Sequence, residues 1–387
     1  MAFSNRPTYT LAAIKTYLSH ISLPACSHTH NALLQAATSR DREWAASSAA
    51  LTALGQLQMY QQAKIPFANL YLHYSRHHVG TLNAGELYEY LVSSRGIASE
   101  GGGAAGESVL AAQAGPAQKQ ASAAAAFSFS PSVAGLLERE RKWEGREPSG
   151  GRGGTCSANN TFFGTVMRSL GMRVMASGAR VAATVIRGER ETGRFNGWTH
   201  MINLVTFEGK RWLVDVGFVA TGPTTPIELT HGNEIPWGAT GDRLRLLFTA
   251  IPEFEDPDQR CWVLQYKDHS KREWKDLYCF TETEFIPQDI AVMNFKSTGD
   301  VRGSFFNHLA FCGRNIVEEG KVVGTVNLAG AKCKRKIWRG GKWQSDVVGV
   351  CESEVDRWEM LESVFGIVLG SEERKGIKGL ESELKGR

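Results

Sequence analysis

The chain predicts an α+β fold on three observations. Helix-period apolar residues dominate up to about residue 91, β-rich runs dominate residues 172–290, and strand and helix signals mix from residue 289 onward. With 387 residues, 42% of them hydrophobic and 22% charged, the chain has an ordinary globular composition and room for two or three domains. A net charge of +4 is too small to point to a nucleic-acid partner. Seven cysteines, odd in number and with no Cys-x-x-Cys pair, fit neither a disulfide framework nor a zinc site. The first residues lack an apolar signal core, and no apolar run approaches the roughly 18 residues that span a bilayer. A reducing cytosol is the expected location, with no membrane partner.

In the first part, Tyr9, Leu11, Ile14, Tyr17, Leu18 and Ile21 fall on one helical face, residues 49–63 form a second helix and residues 87–92 a short third. His73, His77 and His78 have no cysteine or carboxylate beside them to complete a metal set and read as a solvated loop. Residues 93–151 are rich in Ala, Gly and Ser and cannot bury enough surface to offset their ordering entropy, so a largely disordered insertion is expected there. Within it, residues 133–143 carry Leu136, Leu137 and Trp143 and could re-enter the fold as a short helix.

Next comes Arg152-Gly153-Gly154-Thr155-Cys156. Phe162, Phe163, Val166, Met167 and Leu170 recur at helical spacing behind it until Gly171, so Cys156 opens a helix, where free N–H groups and the dipole favour a thiolate. Residues 172–290 then read as a β-barrel-like unit, with strands over 174–186, 201–207, 211–216, 244–250 and 261–266. If Glu208-Gly209 is a two-residue hairpin loop, Phe207 pairs with Lys210 and Ile202 stands opposite Asp215. His200 and Asp215 then share one face as diagonal neighbours, roughly 7–8 Å apart along the backbone. A three-residue loop would put them on opposite faces. Beyond residue 289, strands over 305–313 and 322–328 precede a helix around 355–365. Lys332, Lys334, Arg335, Lys336 and Arg339 read as a solvated face, and residues 372–387 as a charged, frayed tail.

Taken together, Arg-Gly-Gly-x-Cys with Asn160 four residues on, then Thr199-His200, then Leu213-Val214-Asp215-Val216-Gly217-Phe218 resemble the arylamine N-acetyltransferase family. Ile65-Pro66-Phe67-Ala68-Asn69-Leu70 is similar to its Pro-Phe-Glu-Asn element, and Met293 to Thr298 with Ser304-Phe305 to its third-domain stretch. The insertion suggests a eukaryotic, fungal-like member. The resemblance implies a three-domain fold of helical bundle, β-barrel and α/β lid around a papain/transglutaminase-like Cys-His-Asp core. Residues 1–92 with 152–171 would form the helical domain, 172–288 the barrel and 289–370 the lid. It also implies a triad of Cys156, His200 and Asp215, with Asn196, Gly197, Thr199, Gly217, Phe218, Thr298 and Ser304 toward coenzyme A and the acyl group.

The implied activity is ping-pong acyl transfer from acetyl-CoA or another acyl-CoA, through an acyl-cysteine, to an arylamine, arylhydroxylamine or hydrazine, as in xenobiotic metabolism. Acyl-CoA would be a co-substrate, with no resident cofactor or metal and a monomeric protein. Two other readings fit the same residues: a Cys-His-Asp amide or thioester hydrolase, and an inactive ligand-binding homologue. The chain departs from the family pattern at Ala68, Ala158 and Val219. Ala68 removes a carboxylate that could pair with Arg152, and Val219 should narrow the acceptor pocket.

Overall fold

The computed structural model describes residues 6–25, 27–93, 138–187 and 195–386. Helices come first: α1 (Leu11–His20), α2 (His28–Ser39), α3 (Arg42–Ala45), α4 (Ser48–Lys64), a two-residue strand β1 (Phe67–Ala68) and α5 (Ala84–Leu91). Thr10, Ser27, Asp41, Ser47 and Asn83 each accept first-turn N–H groups, which fixes where these helices start. Against them packs α6 (Cys156–Ser169), with Phe162, Phe163, Val166 and Met167 buried beside Tyr17, Leu18 and Leu54. The apolar period misses α2, because only Leu33 and Ala36 of that helix are buried.

The barrel is one eight-stranded antiparallel sheet in the order β5-β4-β3-β2-β9-β8-β7-β6. Its strands are β2 (Val174–Ala182), β3 (Phe195–Phe207), β4 (Lys210–Val214), β5 (Ile227–Glu228), β6 (Glu234–Pro236), β7 (Arg243–Thr249), β8 (Cys261–Lys267) and β9 (Lys275–Phe280). The strand expected over 174–186 stops at Ala182 and turns into α7 (Ala183–Arg187). Edge strands β5 and β6 are joined by a short turn in which Asn233 donates to the Glu228 carbonyl at 3.0 Å, so the sheet nearly closes on itself. Ile202, Leu204, Leu213, Leu264 and Phe280 fill its interior.

The hairpin that carries His200 has the two-residue loop. Phe207 pairs with Lys210 and Asn203 with Val214, while Glu208 (φ 48°) and Gly209 (φ 79°) both take the left-handed conformation that matches strand twist.

After α8 (Pro287–Thr298), a second sheet runs β1-β10-β11-β12-β13, with β10 (Phe311–Glu318), β11 (Lys321–Ala329), β12 (Lys332–Arg339) and β13 (Lys342–Val350). Helices α9 (Glu354–Met360) and α10 (Ser371–Gly376) follow. The stretch 305–313 is not one strand: a 3-10 turn, Phe305–Asn307, precedes β10. The basic run is strand β12, its one fully buried side chain being Cys333.

Three expectations need correction. Most of the Ala/Gly/Ser-rich insertion, residues 94–137, lies outside the described residues, but 138–151 are docked. Trp143 is buried edge-on against Trp358 at 5.9 Å, and Arg139 meets Asp356 and Glu359, each at 2.7 Å. His73 is not solvated: its ring is buried between the Phe306 carbonyl at 3.0 Å and Ser382 Oγ at 2.7 Å, and burial lowers its pKa to about 4. Nor is the tail frayed, because it supplies the acceptor that Ala68 does not. Arg152 is 1% exposed; its Nε donates to the Ser149 carbonyl at 2.8 Å and its Nη1 to the Glu373 carboxylate on α10.

Removing one partner of such a pair leaves a buried charge uncompensated. Glu373→Ala should therefore lower unfolding free energy by about 3 kcal/mol, read from denaturant melts of both proteins. A change within experimental error would mean that Arg152 does not depend on the tail.

Candidate active site

Cys156 is the first residue of α6, and its N-cap Thr155 makes no side-chain cap bond, so the thiol sits among unclaimed N–H groups. The Thr155 hydroxyl bonds Tyr71 Oη at 3.0 Å instead. Gly153 (φ 72°) permits the turn into the helix, and a Cβ there would lie 2.1 Å from the Pro66 carbonyl. Cys156 Sγ lies 3.7 Å from the Thr199 carbonyl and within hydrogen-bond reach of His200.

His200 is 2% exposed, and its Nε2 meets Asp215 Oδ2 at 2.7 Å, which leaves Nδ1 for the thiol. Asp215 is wholly buried; its Oδ1 accepts from Asn160 Nδ2 at 2.9 Å and from the Gly217 N–H at 2.8 Å. Asn160 also donates to the Met201 carbonyl at 2.7 Å and accepts from the Val216 N–H at 3.0 Å, tying α6 to both strands of the hairpin.

These contacts set the charges. Burial opposes ionisation of all three groups. For Asp215, the charge and hydrogen bond of His200, then Asn160 and the Gly217 N–H, outweigh it and hold the carboxyl below its usual range. For His200, Asp215 outweighs it and raises the imidazole to about 10. For Cys156, the His200 hydrogen bond and charge outweigh it and lower the thiol. With the thiol lowered and the imidazole raised, the pair favours thiolate and imidazolium, the reactive form of a cysteine nucleophile. Burial, the largest cause at Cys333 and Cys351, acts oppositely there and each thiol is pushed up to about 12.

The thiol opens into a cavity of about 520 Å³. Asn196, Gly197, Thr199, Gly217, Phe218 and Ser304 all line it, together with Val219, Phe305 and Lys296. Thr298 does not: its hydroxyl turns back to the Asn294 carbonyl at 2.8 Å within α8. Ser297 faces the site in its place, donating to the Thr199 carbonyl at 2.9 Å.

Gly217 packs against Cys156; a Cβ would lie 2.6 Å from Cys156 Cα and from Asn160 Nδ2. Supporting residues that the motifs do not announce are Gln58 and Gln62 of α4, which donate to the Asp215 carbonyl at 3.2 and 3.0 Å and both to that of Pro223 at 2.9 Å. The signal for them is two glutamines four apart on a buried helix face. Tyr278 of β9, whose ring lies 5.0 Å from that of His200, carries no sequence signal.

Thiolate reactivity offers a direct check. Alkylation of Cys156 by iodoacetamide, read by peptide mass spectrometry, should set in at lower pH than that of an ordinary thiol, because His200 lowers its pKa. In Asp215→Asn the imidazole loses the charge that keeps it protonated. Alkylation at pH 7 should then fall by about tenfold or more and rise with pH like an ordinary thiol.

The sequence family described as N-acetyltransferase matches residues 149–374. Over 96% of this chain and 93% of its own length, the N-malonyltransferase FDB2 of Fusarium pseudograminearum is 29% identical. The arylamine N-acetyltransferase of Escherichia coli is 30% identical over 49% of this chain and 62% of its own length. Among solved structures, the Mycobacterium abscessus arylamine N-acetyltransferase superposes with a TM-score of 0.61 at 16% identity, covering 97% of this chain and 98% of its own. The Mycobacterium marinum enzyme in complex with CoA gives 0.57 at 21% identity, covering 95% and 99%. The fold is thus the three-domain α+β fold of these enzymes, and the chain belongs to the arylamine N-acetyltransferase family of acyltransferases.

Proposed function

We propose that the protein is an acyl-CoA:arylamine N-acyltransferase that works by a ping-pong mechanism through Cys156. The observation that supports this reading most is Cys156 at a helix start beside a His200 whose Nε2 meets Asp215 Oδ2 at 2.7 Å, both lining a 520 Å³ cavity. The thiolate attacks the thioester carbonyl of acyl-CoA. A new C–S bond forms, the old one breaks, and His200 gives its proton to the departing coenzyme A sulfur. An arylamine, arylhydroxylamine or hydrazine then attacks the acyl-cysteine while His200 takes the amine proton, and the thiolate returns. Exchange between two thioesters is close to thermoneutral, so the acyl group can wait on Cys156. In this reading the protein acts as a monomer. Val219 lines the same cavity, and its branched side chain leaves less room for the acceptor.

Intact-protein mass spectrometry with each acyl-CoA and no amine should detect one acyl adduct, lost in Cys156→Ala and discharged by an aromatic amine. Turnover of acyl-CoA at the same rate without amine would favour the hydrolase. No adduct with any donor would favour the inactive binding protein.

A malonyl donor is the second reading of the same site. It is supported by Lys296, the one lysine or arginine among the described lining residues, and by the malonyltransferase named among the relatives. Lys296 is ion-paired with Asp300 but 63% exposed, so its ammonium can reach a free acyl carboxylate. Lys296→Gln should then reduce malonyl transfer by about tenfold, roughly one charge-assisted hydrogen bond, and leave acetyl transfer within about twofold. Equal losses for both donors would assign Lys296 to the shared coenzyme instead.

A further inference from the structure

A second cavity of about 630 Å³ lies at the opposite end of α6 from Cys156. The helix has 14 residues, so at ~1.5 Å per residue the two ends are about 20 Å apart. Six arginines from separate parts of the fold line this cavity: Arg6, Arg40, Arg42, Arg168, Arg173 and Arg211. Glu284 is the one acidic residue among the described lining residues, and it reaches Arg6 only at 3.6 Å. Arg211 is matched by Glu282 at 2.8 Å.

Arg168 has no such match. It sits in the last turn of α6, where its Nη2 donates to the Thr165 hydroxyl at 3.0 Å and its buried Nε has no partner among the described residues. Burial first, then the neighbouring charge of Arg6, pushes its pKa down to about 10. Arg40 aims its Nη2 at the Thr8 hydroxyl at 3.3 Å, from a residue held in the left-handed conformation at φ 49°. A neutral hydroxyl is a poor counterpart for a guanidinium in a concave site, and a phosphate oxygen is a good one.

We propose that this arginine-lined cavity is a binding site for a compact polyanion, a molecule carrying two or more phosphate groups, separate from the catalytic cavity. Its size is within the range of small-molecule sites. The planar forks of Arg6, Arg40 and Arg168 come from three different segments, so one ligand would bridge the N-terminal stretch, the end of α2 and the end of α6.

The test is isothermal titration calorimetry of the full chain with inorganic pyrophosphate and with ADP, at fixed ionic strength. One saturable site per chain is expected, weakening as sodium chloride rises. Tighter binding of ADP would identify a nucleotide, and equal binding the phosphates alone. Arg168→Met and Arg40→Gly should each weaken binding by about tenfold or more, the loss expected for one charge-assisted contact. Arg40→Gly keeps the left-handed turn, so it reads the site even if Arg168→Met folds poorly. Carboxymethylation of Cys156 should leave binding unchanged. No saturable binding of either anion, undiminished binding in Arg40→Gly, or loss of binding on carboxymethylation would overturn the proposal.

Discussion

The whole site depends on one buried carboxylate. Asp215 has no water to solvate it, so every lone pair must find a protein donor, and those donors come from three places: His200 on β3, Asn160 on α6 and the backbone N–H of Gly217. The attached main chain is held as firmly, because Gln58 and Gln62 of α4 clamp the Asp215 carbonyl. A carboxylate satisfied this way stays ionised, an ionised carboxylate keeps the imidazole charged, and a charged imidazole lowers the thiol. The charge on Cys156 is thus set two groups away, by the packing of a helical bundle on a barrel. Desolvation would otherwise make each of the three groups neutral.

That dependence ties α6 and the hairpin together. Asn160 is one turn along from Cys156 on α6, yet its side chain bonds Met201 and Val216, one residue beyond His200 and one beyond Asp215. A one-residue slip in the hairpin would move His200 to the other face and leave Asn160 with mismatched partners. The type I′ turn at Glu208-Gly209 prevents the slip locally, and the paired register Phe207 to Lys210 carries it to the site.

The legible parts of the sequence were those where local physics decides. The cysteine at a helix start, the two-residue turn and the alternation of β3 are each read within about ten residues. Contacts across long separations were not legible. Glu373 reaches Arg152 across more than two hundred residues, and nothing in a charged terminal stretch announces a buried partner. His73 is hidden for the same reason, since Phe306 and Ser382 bury it from afar. Thr298 was misplaced by one position on a helix, where a single residue turns a side chain by about 100°. Ser297, beside it in sequence, faces the site and Thr298 faces its own helix.

Two arginines frame α6, and their treatment differs. Arg152 precedes the positive end of the helix dipole, the less favourable end for a cation, and the fold brings Glu373 from its last turns to match it. Arg168 occupies the negative end, where the dipole favours it, yet that contribution is at most about 1 kcal/mol near a surface and falls off within a turn. It does not offset a buried guanidinium facing Arg6 with no carboxylate of its own. Folding alone gives little reason to set Arg6 beside such a charge, because the two repel. An anion that arrives after folding supplies that reason, since the same repulsion then becomes attraction shared among several forks.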